Sequence, residues 1–239
     1  MLTQLAERFP LLKGLIDFVY PPLCSGCGAY EESPERVCEK CITRIDWWDK
    51  SILLTDLDFR SISGAESDPS DSFPLFAAGN YVDPLQQIII EYKFHGAISV
   101  APLIAKRIAE QFGEEIRKLS PAVLVPIPLH PSREYVRGYN QALIFAQKLS
   151  DLIDIPIDHD LLVRVKKRRP QSKLTKSKRA ANIRSVFELV EDIDPAARCD
   201  RLILVDDVVT SGQTLFEARR TLARAGFTVV GAIAIAHKL

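Results

Sequence analysis

The 239-residue chain lacks both an excess of charge of either sign and long apolar segments. Its 31 Lys and Arg residues balance 31 Asp and Glu residues, so the whole molecule is not a polyelectrolyte that would bind nucleic acid through net charge. No stretch reaches the roughly 18–20 uncharged apolar residues of a membrane-spanning helix. We find no internal repeat, and the hydrophobic content of 47% is that of an ordinary globular protein.

The N-terminal stretch also lacks the features of an export signal. Charged residues interrupt its apolar part, and no small-residue cleavage site follows them. Apolar residues instead recur at helical spacing, at Leu5, Phe9, Leu12 and Ile16, which predicts an amphipathic helix over residues 1–20. We therefore expect a cytoplasmic protein with no membrane insertion.

Cysteine is scarce, and four of the five cysteines form two CxxC pairs: Cys24 with Cys27 and Cys38 with Cys41. In a chain without an export signal, such pairs indicate metal ligands before they indicate disulfides. Four thiolates leave no open coordination position, so the pattern predicts a structural zinc site of the ribbon or knuckle type. Two disulfides, a redox pair and an iron–sulfur cluster are alternatives that the pattern favours less. Cys199 stands alone and is assigned no role.

Two tryptophans, Trp47 and Trp48, follow the last of these cysteines. They could form a platform on which nucleic-acid bases stack. They could also form a small hydrophobic core beneath the metal site, which is the interpretation that we favour.

A polar, acidic segment rich in Ser, Pro and Gly, SISGAESDPSDSFP (61–74), predicts a linker and therefore a boundary between modules. We predict three units: an N-terminal helix and four-cysteine zinc module over residues 1–50, an acidic linker over 51–74, and a larger domain over 75–239.

Strands and helices alternate along the larger domain. Predicted strands cover 75–82, 122–128, 160–165, 201–207 and 228–236, and predicted helices cover 84–94, 100–118, 139–153 and 212–225. This alternation predicts an α/β fold, with a parallel sheet and helices on both of its faces.

The segment LILVDDVVTSGQT (202–214) carries most of the functional information. An apolar strand ends at Asp206 and Asp207, at the edge where open α/β sheets bind ligands. The loop that follows offers N–H and hydroxyl groups at the start of a helix, which is a natural phosphate site, and Gly212 lets the backbone approach the ligand. The two carboxylates can accept hydrogen bonds from ribose hydroxyls or bind Mg²⁺. An ordinary strand, turn and helix would explain one Asp and one Gly, but not the whole segment.

This segment resembles the signature with which type I phosphoribosyltransferases bind 5-phosphoribosyl-1-pyrophosphate (PRPP). The resemblance implies the type I phosphoribosyltransferase fold for residues 75–239. It implies that Asp206 and Asp207 bind the ribose or the accompanying Mg²⁺. It also implies a 5-phosphate site made of Thr210, Ser211, Gly212, Gln213 and Thr214.

The segment VPIPLHPSREYVRGYNQA (125–142) places a predicted strand before a loop that contains Arg133, Arg137 and Asn140. An anionic pyrophosphate needs at least one fixed cation. In the phosphoribosyltransferase fold the loop after the first core strand holds the pyrophosphate, so we take Arg133 as the first candidate and Arg137 as the second. The alternative is a pair of solvated arginines at a helix start.

The segment RVKKRRPQSKLTKSKRAANIR (164–184) contains ten basic residues and no acidic residue. It resembles the flexible lid that closes over PRPP in this fold, with Arg168 and Arg169 near the pyrophosphate. It could instead follow a nucleic-acid backbone, or be merely a solvated basic loop. The predicted nucleic-acid contacts are Lys166, Lys167, Arg168 and Arg169.

Taken together with the four cysteines, these segments and YKFHG (92–96) resemble the ComF family, which includes competence protein F and GntX-like proteins. The resemblance runs from about Pro21 to the last residue, in the family's order. It implies a phosphoribosyltransferase-like protein with an N-terminal double zinc ribbon. It adds Tyr92, Lys93 and Gly96 to the site, with Lys93 as a further cation near the pyrophosphate.

The resemblance also implies a role in DNA uptake, in natural competence and transformation, or in the use of internalised DNA. It implies contact with single-stranded DNA and with a partner such as a DNA-uptake helicase or a recombination protein. The other hypothesis is an active phosphoribosyltransferase of nucleobase or nucleotide salvage that has no direct role with DNA. The acceptor of such an enzyme is not visible in the sequence.

Overall fold

The computed structural model describes residue 18 and residues 21–55, 72–165, 186–190 and 198–238. Three sequence predictions fall mainly on other residues. The amphipathic helix over 1–20, most of the acidic linker and most of the basic segment, including Lys166, Lys167, Arg168 and Arg169, lie outside the described residues.

A five-stranded sheet forms the centre of the molecule. The described residues contain seven strands, of which five form this sheet; the seven are β1 (Ile52–Leu54), β2 (Phe73–Asn80), β3 (Val123–Pro126), β4 (Leu162–Arg164), β5 (Phe187–Leu189), β6 (Arg201–Val209) and β7 (Thr228–His237). The order in the sheet is β1-β2-β7-β6-β3. Four of these strands pair in parallel, and β1 pairs antiparallel with β2 at one edge. The predicted parallel sheet is therefore confirmed.

Helices cover both faces of this sheet. They are α1 (Glu39–Ile42), α2 (Leu85–Phe94), α3 (Ala101–Arg117), α4 (Pro131–Arg137), α5 (Gln141–Ile153) and α6 (Gln213–Arg224). Along β6, Ile203 and Val205 belong to the core that includes α2, α3 and α5, whereas Leu202 and Leu204 belong to the core that includes α6. This alternation follows from the two-residue period of a strand, and it explains why the whole run is apolar. None of the described helices is both long and apolar enough to span a bilayer.

Two elements differ from the sequence prediction. The strand predicted over 160–165 is β4, which lies outside the main sheet and forms an antiparallel hairpin with β5. Only Leu162 is buried in it, because the hairpin lies on the surface above α6. The second difference is α4, which replaces part of the predicted loop. The side chain of His130 caps its N-terminus by accepting from the N–H of Ser132 at 3.2 Å, and Gly138 ends it with a left-handed backbone, φ +77°.

The cysteine module packs directly on the sheet domain. Cys24 and Cys41 belong to the same hydrophobic cluster as Ile88 of α2. The backbone N–H of Asn80 donates to the carbonyl of Asp46 at 3.0 Å. A Cβ at the neighbouring Gly79 would lie 2.5 Å from that same carbonyl oxygen, so this close approach requires glycine.

The positions of β1 and β2 can be compared with the three units predicted from the sequence. Strand β1, together with the first two residues of β2, falls within residues 51–74, which the sequence assigns to the acidic linker. These residues therefore contribute to the sheet. The division into three units otherwise stays a prediction.

Both tryptophans lie in the contact between the module and the sheet. The indole N–H of Trp47 donates to the carbonyl of Ile42 at 3.1 Å, and that of Trp48 donates to the side-chain oxygen of Asn80 at 2.9 Å. Both side chains are half-buried against the core. This is the small hydrophobic core that we favour over a base-stacking platform.

Candidate functional site

The two adjacent carboxylates lie near the C-terminal end of β6, which continues to Val209 rather than ending at Asp207. Both side chains are half-buried. The N–H of Asp207 donates to Oδ1 of Asp206 at 2.8 Å, and the N–H of Val208 donates to Oδ1 of Asp207 at 2.6 Å. The backbone therefore fixes the orientation of both carboxylates before any ligand arrives.

A cleft of about 160 Å³ opens beside these carboxylates. Its lining brings together residues from five parts of the chain: Lys93, Ile127, Pro128, Leu129, Arg133, Arg137, Asn140, Ala142, Arg164, Asp206, Asp207, Val208 and Thr214. Four cationic side chains and two carboxylates meet here, so the cleft suits a polyanionic ligand that also carries a metal ion or hydroxyl groups. Lys93, Arg133 and Arg137, the three cations of the prediction that the structure describes, all line it.

Lys93 reaches the cleft from the C-terminal end of α2. Its Nζ lies 2.8 Å from Oδ1 of Asp207, with the two side chains 17% and 15% exposed. Tyr92 and Gly96, which the family resemblance adds to the site, do not line the cleft. Tyr92 is fully buried and its hydroxyl donates to the carbonyl of Gln141 at 2.7 Å, while Gly96 makes a left-handed turn after the helix. These two residues hold the end of α2 that carries Lys93.

Asp206 has an unusual protonation equilibrium. Its removal from water and the adjacent charge of Asp207 raise the pKa of Asp206 to about 7. The N–H of Asp207 and the charges of Lys93 and Arg164 oppose this increase without cancelling it. A divalent cation or a set of hydroxyl donors in the cleft would stabilise the charged form and lower this pKa.

The raised pKa predicts how stability depends on pH in the absence of ligand. Folding favours the protonated form of Asp206, so its contribution to the free energy of unfolding is full below the ordinary value of 3.8 and is lost as the pH rises through about 7. Asp206→Asn stays neutral and is therefore expected to raise the melting temperature at pH 8 and to change it little at pH 4. Thermal melts of both proteins at the two pH values measure this. Equal shifts at both values would contradict it.

Residues 210–212 join β6 to α6, and Gln213 and Thr214 are the first two residues of that helix. Gly212 precedes the helix with φ +70°, and a Cβ there would lie 3.2 Å from the ring of Phe216. The left-handed backbone favours glycine here, and a larger residue would also crowd the ring of Phe216. Of the five predicted 5-phosphate residues, Thr214 lines the cleft. Thr210 and Gln213 are exposed beside it, at a helix start whose first N–H groups have no partners within the helix.

Arg164 is a cleft residue that the sequence analysis did not single out. It ends β4, its guanidinium lies 5.4 Å from the ring centroid of Phe187, and its charge acts on Asp206. The feature of the sequence that could have identified Arg164 is its position, where the predicted strand meets the basic segment. Asn140 also lines the cleft, but it has a structural task. Its Nδ2 donates to the carbonyl of Ile127 at 3.1 Å, and its Oδ1 caps α5.

The four paired cysteines form one cluster, in which the Sγ atoms of Cys24, Cys27, Cys38 and Cys41 all lie within 4.8 Å of one another. Sulfurs bound to zinc at about 2.3 Å stand about 3.8 Å apart in a tetrahedron. The Sγ atoms of Cys27 and Cys38 are 3.7 Å apart, so the cluster fits zinc. A Cβ at Gly26 would lie 2.8 Å from Sγ of Cys41, which explains this glycine.

The backbone around the cluster prepares one thiolate. Sγ of Cys24 accepts from the N–H groups of Gly26 and Cys38, each at 3.3 Å. Burial raises the pKa of Cys24, but backbone donors that include these two outweigh it and lower the pKa to about 7. Burial raises the pKa of Cys41, so this thiol is expected to lose its proton only when a cation binds to the cluster. Cys199 lies apart, with its thiol 3.5 Å from the carbonyl of Arg201.

Two protein families match this chain. Residues 139–239 match the phosphoribosyl transferase domain family, and residues 15–52 match the double zinc ribbon domain family. The first range contains β6, the loop to α6 and both carboxylates, and the second contains all four clustered cysteines. The zinc ribbon match and the cluster geometry together support a structural zinc site.

Curated relatives cover most of the chain. Competence protein F of Haemophilus influenzae is 28% identical over 208 residues, which is 86% of this chain and 80% of the relative. The DNA utilization protein YhgH of Escherichia coli strain K12 is 24% identical over 87% of this chain and 81% of its own length. Competence protein ComFC of Bacillus subtilis is 32% identical over 61% of this chain and 56% of its own length. This chain is therefore a homologue of competence protein F, ComFC and YhgH, with a double zinc ribbon match ahead of a phosphoribosyl transferase domain match.

Proposed function

We propose that the cleft binds PRPP with Mg²⁺, and that the chain serves DNA uptake or the use of internalised DNA. One observation carries the first part of this proposal. Two oriented carboxylates and four cations meet in a single cleft near the C-terminal end of a parallel strand, and that strand lies within the residues that match the phosphoribosyl transferase domain family. PRPP offers both chemistries that such a cleft needs, because it combines vicinal hydroxyls with phosphate groups that carry Mg²⁺.

Each group of residues then has a role. Asp206 and Asp207 bind the ribose hydroxyls or Mg²⁺, and the residues from Thr210 to Thr214 bind the 5-phosphate. Lys93, Arg133 and Arg137 bind the pyrophosphate. Lys93 would exchange its contact with Asp207 for a phosphate oxygen, which frees that carboxylate for the ribose or the metal ion. Arg168 and Arg169, outside the described residues, stay predicted contacts of the pyrophosphate or of DNA.

Binding of PRPP is tested directly by titration calorimetry and by thermal melts with PRPP and Mg²⁺. A ligand that binds only the folded state stabilises it by about 2.7 kcal/mol when its concentration is a hundred times the Kd. We expect PRPP with Mg²⁺ to raise the melting temperature more than Mg²⁺ with ribose 5-phosphate, because only PRPP carries the pyrophosphate that the cations bind. No shift with PRPP would contradict the proposal.

The role with DNA is supported by the names of the relatives, which are competence and DNA utilization proteins. It is also supported by the charge distribution. Outside residues 164–184, acidic residues outnumber basic ones, so a contact with DNA phosphates is expected to concentrate in that segment. We propose a cytoplasmic protein that contacts single-stranded DNA and works with a DNA-uptake helicase or a recombination protein.

The DNA contact gives a prediction of its own. Replacing Lys166, Lys167, Arg168 and Arg169 by alanine is expected to weaken sequence-independent binding to single strands and to flatten its dependence on salt, because each lost phosphate contact removes a released counterion. Fluorescence anisotropy with a labelled oligonucleotide over a salt series measures both effects. Alanine at Lys40, Arg44, Lys106 and Lys118 provides a control with the same loss of charge elsewhere on the molecule. An unchanged affinity in the first variant would place the link to DNA in a partner protein.

Catalysis is the second candidate function. Cations that bind the pyrophosphate would stabilise it as a leaving group, and the oriented carboxylates would stabilise positive charge on the ribose as a C–N bond forms at its anomeric carbon. Release of pyrophosphate, measured with a panel of nucleobases with and without single-stranded DNA, separates an enzyme from a binding protein. Release with one base, independent of DNA, would favour an enzyme of salvage.

A further inference from the structure

Gln141 is the most deeply buried polar side chain among the described residues, with 0% exposure. It begins α5, and its amide contacts residues from two other elements that line the cleft. Nη1 of Arg137 donates to its Oε1 at 3.0 Å. Its Nε2 donates to the backbone carbonyl of Lys93 at 3.4 Å. One buried amide therefore joins two of the cations in the cleft.

We propose that Gln141 is a positioning residue, which holds the guanidinium of Arg137 in place to receive the anionic part of the ligand. This inference rests on the proposed binding of PRPP, because it assigns to that site the residue that orders one of its cations. Gln141 does not line the cleft, so it would act through Arg137 and not by touching the ligand.

The surroundings of Arg137 show why such a residue is needed. Arg137 is the last residue of α4, a helix in which no residue is buried. Its guanidinium lies 4.6 Å from the ring centroid of Phe94, a side chain that is 62% exposed. A stacking contact beside water is weak and sets no single orientation for the guanidinium. The hydrogen bond to Gln141 is charge-assisted, directional and partly buried, so it can fix the side chain before the ligand binds.

The main chain of Gln141 makes contacts with the surrounding fold that its amide does not share. The carbonyl of Gln141 accepts from the hydroxyl of Tyr92 at 2.7 Å, and the hydroxyl of Tyr139 donates to the carbonyl of Tyr92. These bonds hold the end of α2 against the start of α5, and they use the main chain of Gln141. Gln141→Met keeps the main chain and nearly the same side-chain volume, so it should fold while leaving Arg137 without its acceptor.

The experiment is a double-mutant cycle on Gln141→Met and Arg137→Met, with binding of PRPP·Mg²⁺ and of Mg²⁺-pyrophosphate measured by titration calorimetry. We expect Gln141→Met to weaken binding by about tenfold in the wild-type background, as expected for a hydrogen bond to a charged group. In the Arg137→Met background the same change should weaken binding by less than about threefold, because the group on which it acts is gone. Ser150→Ala, which removes one hydrogen bond farther along α5, is the control and should leave binding unchanged.

Equal losses in both backgrounds would mean that Gln141 acts on the fold in general, and no loss in either would mean that it has no role; both results overturn the inference. A second measurement does not depend on the ligand. The guanidinium N–H resonances of Arg137, assigned by their loss in Arg137→Met, should be dispersed in the wild type and collapse to averaged positions in Gln141→Met. If the wild type fails to bind PRPP, the proposed function is wrong, whereas unchanged resonances in Gln141→Met would overturn the positioning role itself.

Discussion

Asp206→Asn combined with Asp207→Asn is expected to lower the affinity for PRPP·Mg²⁺ by at least about a hundredfold. Each carboxylate would lose its charge, and neutral amides bind Mg²⁺ and ribose hydroxyls far less well in a cleft where Lys93 and Arg164 remain. A hundredfold loss removes about 2.7 kcal/mol of binding free energy, so the stabilisation by ligand should nearly vanish in thermal melts.

The control for this variant is Asp151→Asn combined with Asp154→Asn. It makes the same change in charge at the exposed far end of α5, and it should leave the ligand-induced shift intact. Without ligand, the double variant loses both the penalty of burying the Asp206 charge beside Asp207 and the ion pair between Lys93 and Asp207, so the comparison is made on the ligand-induced shift. A ligand-induced shift equal to that of the wild type would show that the ribose site lies elsewhere.

Loss of the metal is expected to be the most destabilising single change in the described part of the chain. Freshly purified, reduced protein should contain about one zinc ion per chain. Cys24→Ser should abolish that zinc and lower the melting temperature by about 10 °C or more, because zinc binding contributes its free energy to folding. Metal analysis by mass spectrometry and thermal melts measure the two effects.

The structure extends this effect beyond the cysteine module. Cys24 and Cys41 lie in the same hydrophobic cluster as residues of α2, α3 and α5, so we expect the module and the sheet to unfold in one transition. Cys199→Ser is the matched control, since Cys199 lies outside the cluster. Absence of zinc from the purified protein, or equal melting temperatures for the two serine variants, would contradict the prediction.

The sequence predicted the parts of the site that are local in the chain. Asp206, Asp207 and Gly212 follow one another within a strand, a loop and a helix start, so the order of residue types already carries the geometry. Residues whose contacts are distant in the sequence could not be identified in this way. In the sequence, Gln141 cannot be told from any other polar residue at the start of a helix. Its contact with Lys93 joins positions that are 48 residues apart. Burial of its side chain, which suggests its role, is a property of the packed structure alone.

Two other differences between the sequence predictions and the structure arise because neighbouring strands and segments are chosen only when the chain packs. The strand predicted over 160–165 fits the main sheet and a surface hairpin equally well, because so short an apolar run does not indicate which strand it pairs with. Residues 61–74 are acidic and polar, unlike the apolar segments on either side, and this change in composition predicts a boundary. It could not show that the carbonyl of Asp46 approaches Gly79, because that contact depends on how the two segments pair in space.

The position of β7 has a consequence for synthesis on the ribosome. This strand is the last one described along the chain, yet it lies between β2 and β6 in the sheet. A nascent chain that has already produced β6 therefore carries the carboxylates of the cleft, while β2 and β6 each still expose an unpaired edge. Such edges can pair with other chains, so we expect the growing polypeptide to be exposed to misassembly during this interval.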